Sequence, residues 1–499
     1  RRCTVPETHG GNLEATARRL GCRPGQVLDA SASLAPFGLP WRARWAATST
    51  RSNRFETLST QSSTVTRAIE RLQSSPIRER GLTNSLLRFC QEFGHLGRVS
   101  APSPFDPISV EIADHQLDIH ISGDARLAAL LDTIDSARTS LRLIFYIYVD
   151  DAVGRLVRDA LVHACARGVS VALVIDGFGS SGLADSFLHP LREAGARVDR
   201  FIPNKGRRYL LRNHQKILIA DDETALIGGA NIAADYYQDG PLGDHWHDLM
   251  AILTGPKVAS LSAYVDALLD WIRGDKQSIR ALQRLLSAGS TTDGPIGWRM
   301  GGPFERLNPF ARALRADLDQ ARQVDMIQAY FAPDFTFLRR LARVARRGRL
   351  LLVTAARSDN TTTVAAARHC YGRLLRGGAE IYEYRPARLH MKLMIADSIV
   401  YIGSANYDTR SIFLNVEVML RIDNTGFADQ MRALAQAHLP QCQKIDQHWL
   451  KRVSGRFRRL RWFLAYFLFT TIDYTITRRF NIGPKRRVWR VRQPGTDKD

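Results

Sequence analysis

Two stretches of the chain hold the same set of reactive side chains at matching spacing. Arg212 to Asn231 reads RNHQKILIADDETALIGGAN, and Leu389 to Asn406 reads LHMKLMIADSIVYIGSAN. Each contains His-x-Lys-x4-Asp: His214, Lys216 and Asp221 in the first, His390, Lys392 and Asp397 in the second. Each then runs on to a small-residue turn, through Gly229 or Ser404, that ends in Asn231 or Asn406. One match to so short a motif arises by chance at a rate of roughly a few per cent in a chain of this length. Two matches, each followed by the same second motif, do not. An imidazole is a nucleophile or a proton carrier, and an ammonium beside it is a fixed cation. The doubled set suits a phosphodiester: Lys216, Lys392, Asn231 and Asn406 neutralise the non-bridging oxygens, one His attacks phosphorus, and the other protonates the leaving oxygen. Those groups already supply the charge stabilisation that a metal would bring, so neither a metal nor another cofactor is expected.

The elements that position these residues follow from apolar periodicity. ILIA from Ile217 and LMIA from Leu393 are strand-type runs, so His and Lys two residues apart fall on one strand face. Asp221-Asp222 and Asp397-Ser398 sit where a hairpin turns before ETALI and IVYI. Asp221 and Asp397 complete the motif, but a turn position argues for a supporting role. Around each motif the chain repeats itself. LRLIFYIY from Leu141, a helix over Ala152 to Arg167 and VSVALVID from Val169 are answered by VDMIQAYF from Val324, FTFLRRLARVARR from Phe335 and RLLLVTAA from Arg349. Both helices end in Arg-Gly, a natural C-cap. The offset of about 180 residues is too long for a solenoid period, so the pattern is a duplicated α/β domain. Between the halves, PKVASLSAYVDALLDWI from Pro256 is helical, with Trp271 in the core, and a second helix with a linker occupies Gln277 to Pro295.

This constellation resembles the phospholipase D superfamily, and in finer detail its bacterial cardiolipin synthases. Arg212-Asn213-His214 with Lys216, then Gly228-Gly229-Ala230-Asn231, match the first motif of that branch. GSANYDTRSIFLNVE from Gly403 to Glu417 matches the second. Two positions depart from it: Gln215 stands where Arg is usual, and His247 replaces Arg in Trp246-His247-Asp248. The resemblance spans roughly residues 110 to 450. It implies two tandem phospholipase D-like α/β/α domains, with mixed central sheets and the active site at their interface. By the usual order in the family His214 is the nucleophile and His390 the general acid; the residues alone leave the reverse open. Asp248 and Glu417, downstream of each Asn, are expected to orient the imidazoles. The resemblance further implies a phosphatidyltransferase working through a phosphohistidine. Phospholipase D hydrolysis and a phosphodiesterase acting on nucleic acid are the alternatives.

Composition bounds the rest. Of 499 residues, 70 are Lys or Arg and 49 Asp or Glu, a formal charge of +21 that favours polyanions, either an anionic membrane or nucleic acid. The in-chain pairing of both motifs disfavours nucleic acid. Six Cys without regular spacing read as reduced thiols rather than a disulfide framework. Residues 1–108 are expected to be a leader foreign to the catalytic unit. Residues 8–40 within it resemble the opening of threonine-phosphate decarboxylase-like enzymes that use pyridoxal phosphate, and a Ser/Thr-rich linker follows. No secretory signal or 20-residue apolar span is visible near the N-terminus. The expected domains are 109–255 and 301–443, joined by a helical connector over 256–300 and followed by a tail over 444–499. From Lys451 onward 14 Lys/Arg face 3 Asp/Glu, around the apolar run WFLAYFLFTTI from Trp462. That run is short of the ~20 residues a bilayer span needs. A basic, aromatic-rich flank suits a helix lying on anionic lipid at the cytoplasmic face of the cell membrane. A helix packed on the α/β body is the alternative. NKGRRYL from Asn204, with Lys205, Arg207 and Arg208, reads either as the entrance of a site for an anionic headgroup or as a solvated basic loop.

Overall fold

The computed structural model of the chain describes residues 107–202, 211–240, 244–275 and 277–473. The expectations for residues 1–106, for Lys205, Arg207 and Arg208, and for residues 474–499 fall outside them.

The first half runs β1 (Ile108–Ile112), β2 (His115–His120), α1 (Gly123–Ser136), β3 (Ser140–Phe145), α2 (Ala152–Ala166), β4 (Ser170–Asp176), α3 (His189–Glu193), β5 (Arg197–Phe201), β6 (Ile217–Ala220), β7 (Thr224–Gly228), β8 (Trp246–His247) and β9 (Met250–Thr254). Helices α4 (Lys257–Arg273) and α5 (Ile279–Ala288) connect the halves. The second half runs β10 (Ile296–Gly301), α6 (Pro309–Gln320), β11 (Gln323–Gln328), β12 (Phe331–Ala332), α7 (Phe335–Arg347), β13 (Arg349–Ala355), α8 (Thr361–Arg376), β14 (Glu380–Tyr384), β15 (Arg388–Leu389), β16 (Lys392–Ala396), β17 (Ile399–Gly403), β18 (Tyr407–Asp408), α9 (Thr409–Phe413), β19 (Glu417–Asp423), α10 (Thr425–Ala437) and β20 (Cys442–Ile445). Helices α11 (Gln447–Val453) and α12 (Arg456–Phe467) follow, the latter continuing as a π-helical turn through Leu468–Asp473.

Each half builds an eight-stranded mixed sheet, in the orders β1-β2-β9-β7-β6-β3-β4-β5 and β10-β19-β17-β16-β11-β13-β14-β20. The six strands from β9 to β5 correspond one for one to those from β19 to β14, so the duplication seen in sequence is a duplication of topology. Parallel β3-β4-β5 and β11-β13-β14 need helical crossovers, which α2, α7 and α8 supply. Asp151, Asp334 and Asn360 cap the starts of those three helices by accepting backbone N–H groups. One apolar cluster takes residues from both sheets, among them Ile217, Ile227, Leu393 and Ile402, together with Leu261 and Leu268 of α4. Trp271 belongs to it and stacks on Phe201 at 6.0 Å. Because β10 pairs with β19 and β20 with β14, the second sheet takes in residues 296–300 of the expected connector and extends to Ile445.

Two details differ from the expected symmetry. Gly168 ends α2 with φ of +88°, as a left-handed C-cap does. Gly348, after α7, is needed for room instead, since a Cβ there would lie 1.9 Å from the carbonyl oxygen of Arg322.

Asp221 and Asp397 sit at hairpin tips with φ of +54° and +50°, at the far ends of β6 and β16 from the histidines. Although the motif groups them with the catalytic residues, their carboxylates are spent on backbone. Asp221 accepts from the N–H groups of Arg138, Thr139 and Ser140 at 2.8–2.9 Å, and Asp397 from those of Arg322 and Gln323 at 2.8–3.1 Å. Partial burial works to raise the Asp221 carboxyl, but those three donors and the Thr139 hydroxyl outweigh it and bring it down to about 2, from 3.8. A folded-state value below the unfolded one means stability present above pH 3.8 and lost as the pH falls towards 2. Asp221→Ala is therefore expected to cost about 1–2 kcal/mol near neutrality. The gap to the parent should close in acid, and turnover by the folded protein should be unchanged. Urea unfolding at pH 7 and near pH 3, alongside an activity assay, checks all three.

Candidate active site

The two histidines precede their strands rather than lying within them. Each lies in an extended segment that crosses to the other half of the molecule. His214 donates its backbone N–H to the carbonyl of Val416 at 2.9 Å, and Val416 returns one to Arg212 at 2.9 Å. In the same way His390 N–H bonds the carbonyl of His247 at 2.8 Å, while β15 runs parallel to β8. Val416 and His247 are the residues just before Glu417 and Asp248. The backbone register thus sets each imidazole beside a carboxylate of the opposite half. His214 Nδ1 lies 3.0 and 3.1 Å from the two oxygens of Glu417, and His390 Nδ1 lies 2.6 Å from Asp248 Oδ2. All four side chains are buried. A carboxylate accepts from Nδ1–H, which puts the basic lone pair of each ring on Nε2.

The two lysines are equally enclosed. Lys216 Nζ donates to the carbonyl of His214 at 2.7 Å and lies 5.3 Å from the centre of the Tyr146 ring. Lys392 Nζ lies 2.6 Å from His390 Nδ1 and bonds the His390 carbonyl. Burial pushes Lys216 well below its ordinary value and Lys392 down to about 8, with Asp248 and Glu417 opposing the fall in Lys392. Burial also lowers His214, to about 4, against the pull of Glu417, and lowers His390 well below its ordinary range with help from Lys392, Lys216 and His214. The titration of each histidine is thus influenced by charges from both halves.

The carboxylates differ. Burial acts to raise both, and Asp248 is raised. For Glu417 the His214 charge and hydrogen bond, Lys216 and the Ser404 hydroxyl outweigh burial and leave it lowered. Ser404 donates its hydroxyl to Glu417 Oε2 and accepts from the N–H of Val418 at 3.0 Å. Gly229, its counterpart, must stay without a side chain, because a Cβ there would lie 2.5 Å from Asp248 Oδ2. Asn231 is spent on structure, its Oδ1 accepting from Ile147 N–H at 3.1 Å and its Nδ2 donating to the Tyr236 hydroxyl at 2.9 Å. Asn406 is different: its Oδ1 is buried and finds no hydrogen-bond partner among the described residues.

Beyond the motif residues several others contribute, and of these only Trp246, in Trp246-His247-Asp248, carried a signal in the sequence. Tyr236, Trp246 and Tyr330 set their rings around His390, with centres 5.1, 5.2 and 6.3 Å away, and Tyr146 meets His214 at 4.9 Å. Arg126 of α1 is fully buried and donates to the backbone carbonyls of Tyr236, Trp246 and Asp248, pinning the loop that presents Asp248. A lone Arg in an amphipathic helix has no motif to betray it. The two departures from the family pattern are accommodated. Gln215 bonds Tyr264 Oη at 2.9 Å and the carbonyl of Glu417, and His247 Nε2 meets His438 Nε2 at 2.7 Å across the domain boundary.

A family model described as "Cardiolipin synthase, PLD-like domain" matches residues 130–268 and 314–439, together just over half of the chain. Among curated relatives, cardiolipin synthase A of Pseudomonas fluorescens (strain SBW25) is 31% identical over 369 residues, covering 70% of this chain and 75% of the relative. Cardiolipin synthase A of Pseudomonas putida (strain KT2440) is 29% identical over 366 residues, covering 70% and 74%. Among solved structures, the phosphatidylserine synthase of Haemophilus influenzae Rd KW20 superposes with a TM-score of 0.59 at 13% identity, over 74% of this chain and 96% of that one, a likeness of fold.

Proposed function

The chain belongs to the cardiolipin synthase family of phospholipase D-like proteins, and from that membership we propose that it is a phosphatidyltransferase that exchanges a phospholipid headgroup through a phosphohistidine. The observation that carries this reading is the pair of imidazoles, each oriented by a carboxylate from the opposite half, with a buried lysine beside each of them. A phosphodiester entering the pocket meets cations that have been stripped of water, where their attraction for the non-bridging oxygens is strongest. Following the family's order, His214 Nε2 attacks phosphorus while the bond from phosphorus to the headgroup oxygen breaks, and His390, which takes up a proton as the anionic phosphodiester binds beside it, gives that oxygen its proton. His390 then takes the proton of an incoming alcohol, whose oxygen displaces His214 from phosphorus. With phosphatidylglycerol as both donor and acceptor, the products are cardiolipin and glycerol; with water as acceptor, phosphatidic acid appears instead. We assign Lys216, Lys392 and Asn406 to the phosphate, Glu417 and Asp248 to the imidazoles, and place the enzyme peripherally at the cytoplasmic face of the membrane.

Mass spectrometry of the products from defined phosphatidylglycerol tests this directly. Cardiolipin with equimolar glycerol is expected. Phosphatidic acid alone would make the protein a hydrolase, and cleavage of single-stranded DNA with lipid left intact would overturn the reading. The Lys392 ammonium supplies a pH test. Held near 8, it loses its charge as the pH rises through that value. The free-enzyme profile of kcat/KM should therefore carry an alkaline limb centred at about 8. A profile flat to pH 10 would rule out a charged Lys392 in the rate-limiting state.

A further inference from the structure

The C-terminal helix α12 packs inward with one side and presents apolar residues outward with the other. Its inner side, Trp462 and Ala465 with Phe469 of the π-helical turn, is buried against Ala365 and Ala366 of α8 and Ala332 of β12. Tyr466 is tied down as well, its hydroxyl donating to the carbonyl of Pro333 at 2.8 Å. Phe457, Leu460, Phe463, Leu464 and Phe467 all face solvent, Phe457 at 89% exposure and the rest at 39–53%. At helical spacing these five fall in one arc of about 120°. They account for five of the seven exposed large hydrophobics among the described residues. A sixth is Phe335, at the start of α7, with the guanidinium groups of Arg339 and Arg373 at 5.6 and 4.6 Å from its ring.

The sequence of α12 says what should cover that stripe. RFRRLRWFLAYF holds four arginines and no acidic residue, and on the helical wheel Arg461 and Arg459 border the stripe on its two sides. Apolar residues rimmed by arginine on a helix lying along a surface are the pattern of interfacial binding to anionic lipid. An α/β body would offer no reason for that charge. The position also fits. Ala332, buried beneath α12, lies two residues after Tyr330, whose ring edges His390, and β12 pairs with β18 directly after Asn406.

We propose that the outer face of α12, with Phe335 beside it, is the surface that seats this protein on an anionic phospholipid bilayer, holding the rim of the active site against the lipid that supplies its substrate. The inference rests on the reading of the protein as a phospholipid transferase and adds the place of contact. The packed inner side keeps α12 fixed on the domain, so it acts as a rigid foot rather than a tether. Among the described residues no helix is long and apolar enough to cross a membrane, which leaves surface contact as the mode available to this part of the chain.

The test is flotation of the full chain with vesicles, beside activity on short-chain lipid dispersed in detergent. Binding to vesicles containing equal phosphatidylglycerol and phosphatidylcholine should exceed binding to pure phosphatidylcholine, at about fivefold for each arginine engaged. The double variant Leu460→Asp, Leu464→Asp should lose at least about tenfold in binding, since each change withdraws an inserted apolar side chain and adds a repelled charge. Its activity in detergent should be unchanged, which separates failure of docking from failure of the chemistry. Arg459→Gln with Arg461→Gln, a milder pair, should weaken binding to anionic vesicles alone. Vesicle binding unaffected by both pairs would overturn the proposal. So would a dimer that the Leu460 and Leu464 changes dissolve in the absence of lipid, because the stripe would then be an interface between two copies.

Discussion

Replacing either His214 or His390 by Ala is expected to cut phosphatidyl transfer by at least about ten-thousand-fold, each alone being nearly as damaging as both together. A nucleophile and its proton partner act as a unit, so the losses do not add. The two replacements part company in what accumulates. With a substrate whose leaving group needs no proton, the variant lacking the general acid should still form a phosphohistidine, and the variant lacking the nucleophile should form none. Acid-quenched labelling from phosphorus-labelled lipid, followed by peptide mapping, identifies which ring carries phosphorus. Label on His390 in the His214 variant would reverse the assignment. Turnover in either Ala variant near the parental rate would dismiss the paired mechanism.

The second large effect belongs to the carboxylates that reach across the domain boundary. Glu417→Gln keeps the shape of the side chain and its contact with Ser404 but no longer holds a proton-accepting charge at His214 Nδ1. The imidazole loses both its tautomer and the stabilisation of its cation, and a fall in kcat of about a thousand- to ten-thousand-fold follows from that loss. Asp248→Asn does the same to His390. Because each carboxylate serves the histidine of the opposite half, variants in different halves pair up. Asp248→Asn and His390→Ala should not be additive, whereas Asp248→Asn should leave phosphohistidine formation at His214 measurable with an activated leaving group. A double-mutant cycle showing Asp248 coupled to His214 more strongly than to His390 would refute the crossed arrangement.

Much of this was legible in the sequence, because the duplication presented every catalytic residue type twice. The strands at Ile217 and Leu393, the helices at Ala152 and Phe335 and the core position of Trp271 all follow from periodicity. The family's two-domain fold followed from the paired motifs. What could not be read is what crosses between the halves. Asp248 and Glu417 were recognisable as carboxylates downstream of Asn, but nothing in the spacing says which histidine each serves; that is fixed by the two-residue bridges at Val416 and His247. Arg126 and the Tyr236 and Tyr330 rings around His390 were invisible for a similar reason, since their partners lie far away in the chain. Asp221 is the opposite case, since its turn position already argued for a supporting role. It belongs to the motif by spacing, yet a left-handed turn and three backbone donors account for it fully.

The near-equivalence of the two halves has a cost that their small differences remove. A phosphorus atom between two identical imidazoles would be attacked from either side with equal ease, and either ring could come to carry it. Here one imidazole rests against a longer Glu417, its carboxyl lowered and anchored by a hydroxyl, and the other against a shorter Asp248 for which a bare Gly229 leaves room. One methylene and one hydroxyl thus make the surroundings of the two imidazoles unequal, which is what a fixed division of roles between nucleophile and proton carrier would require.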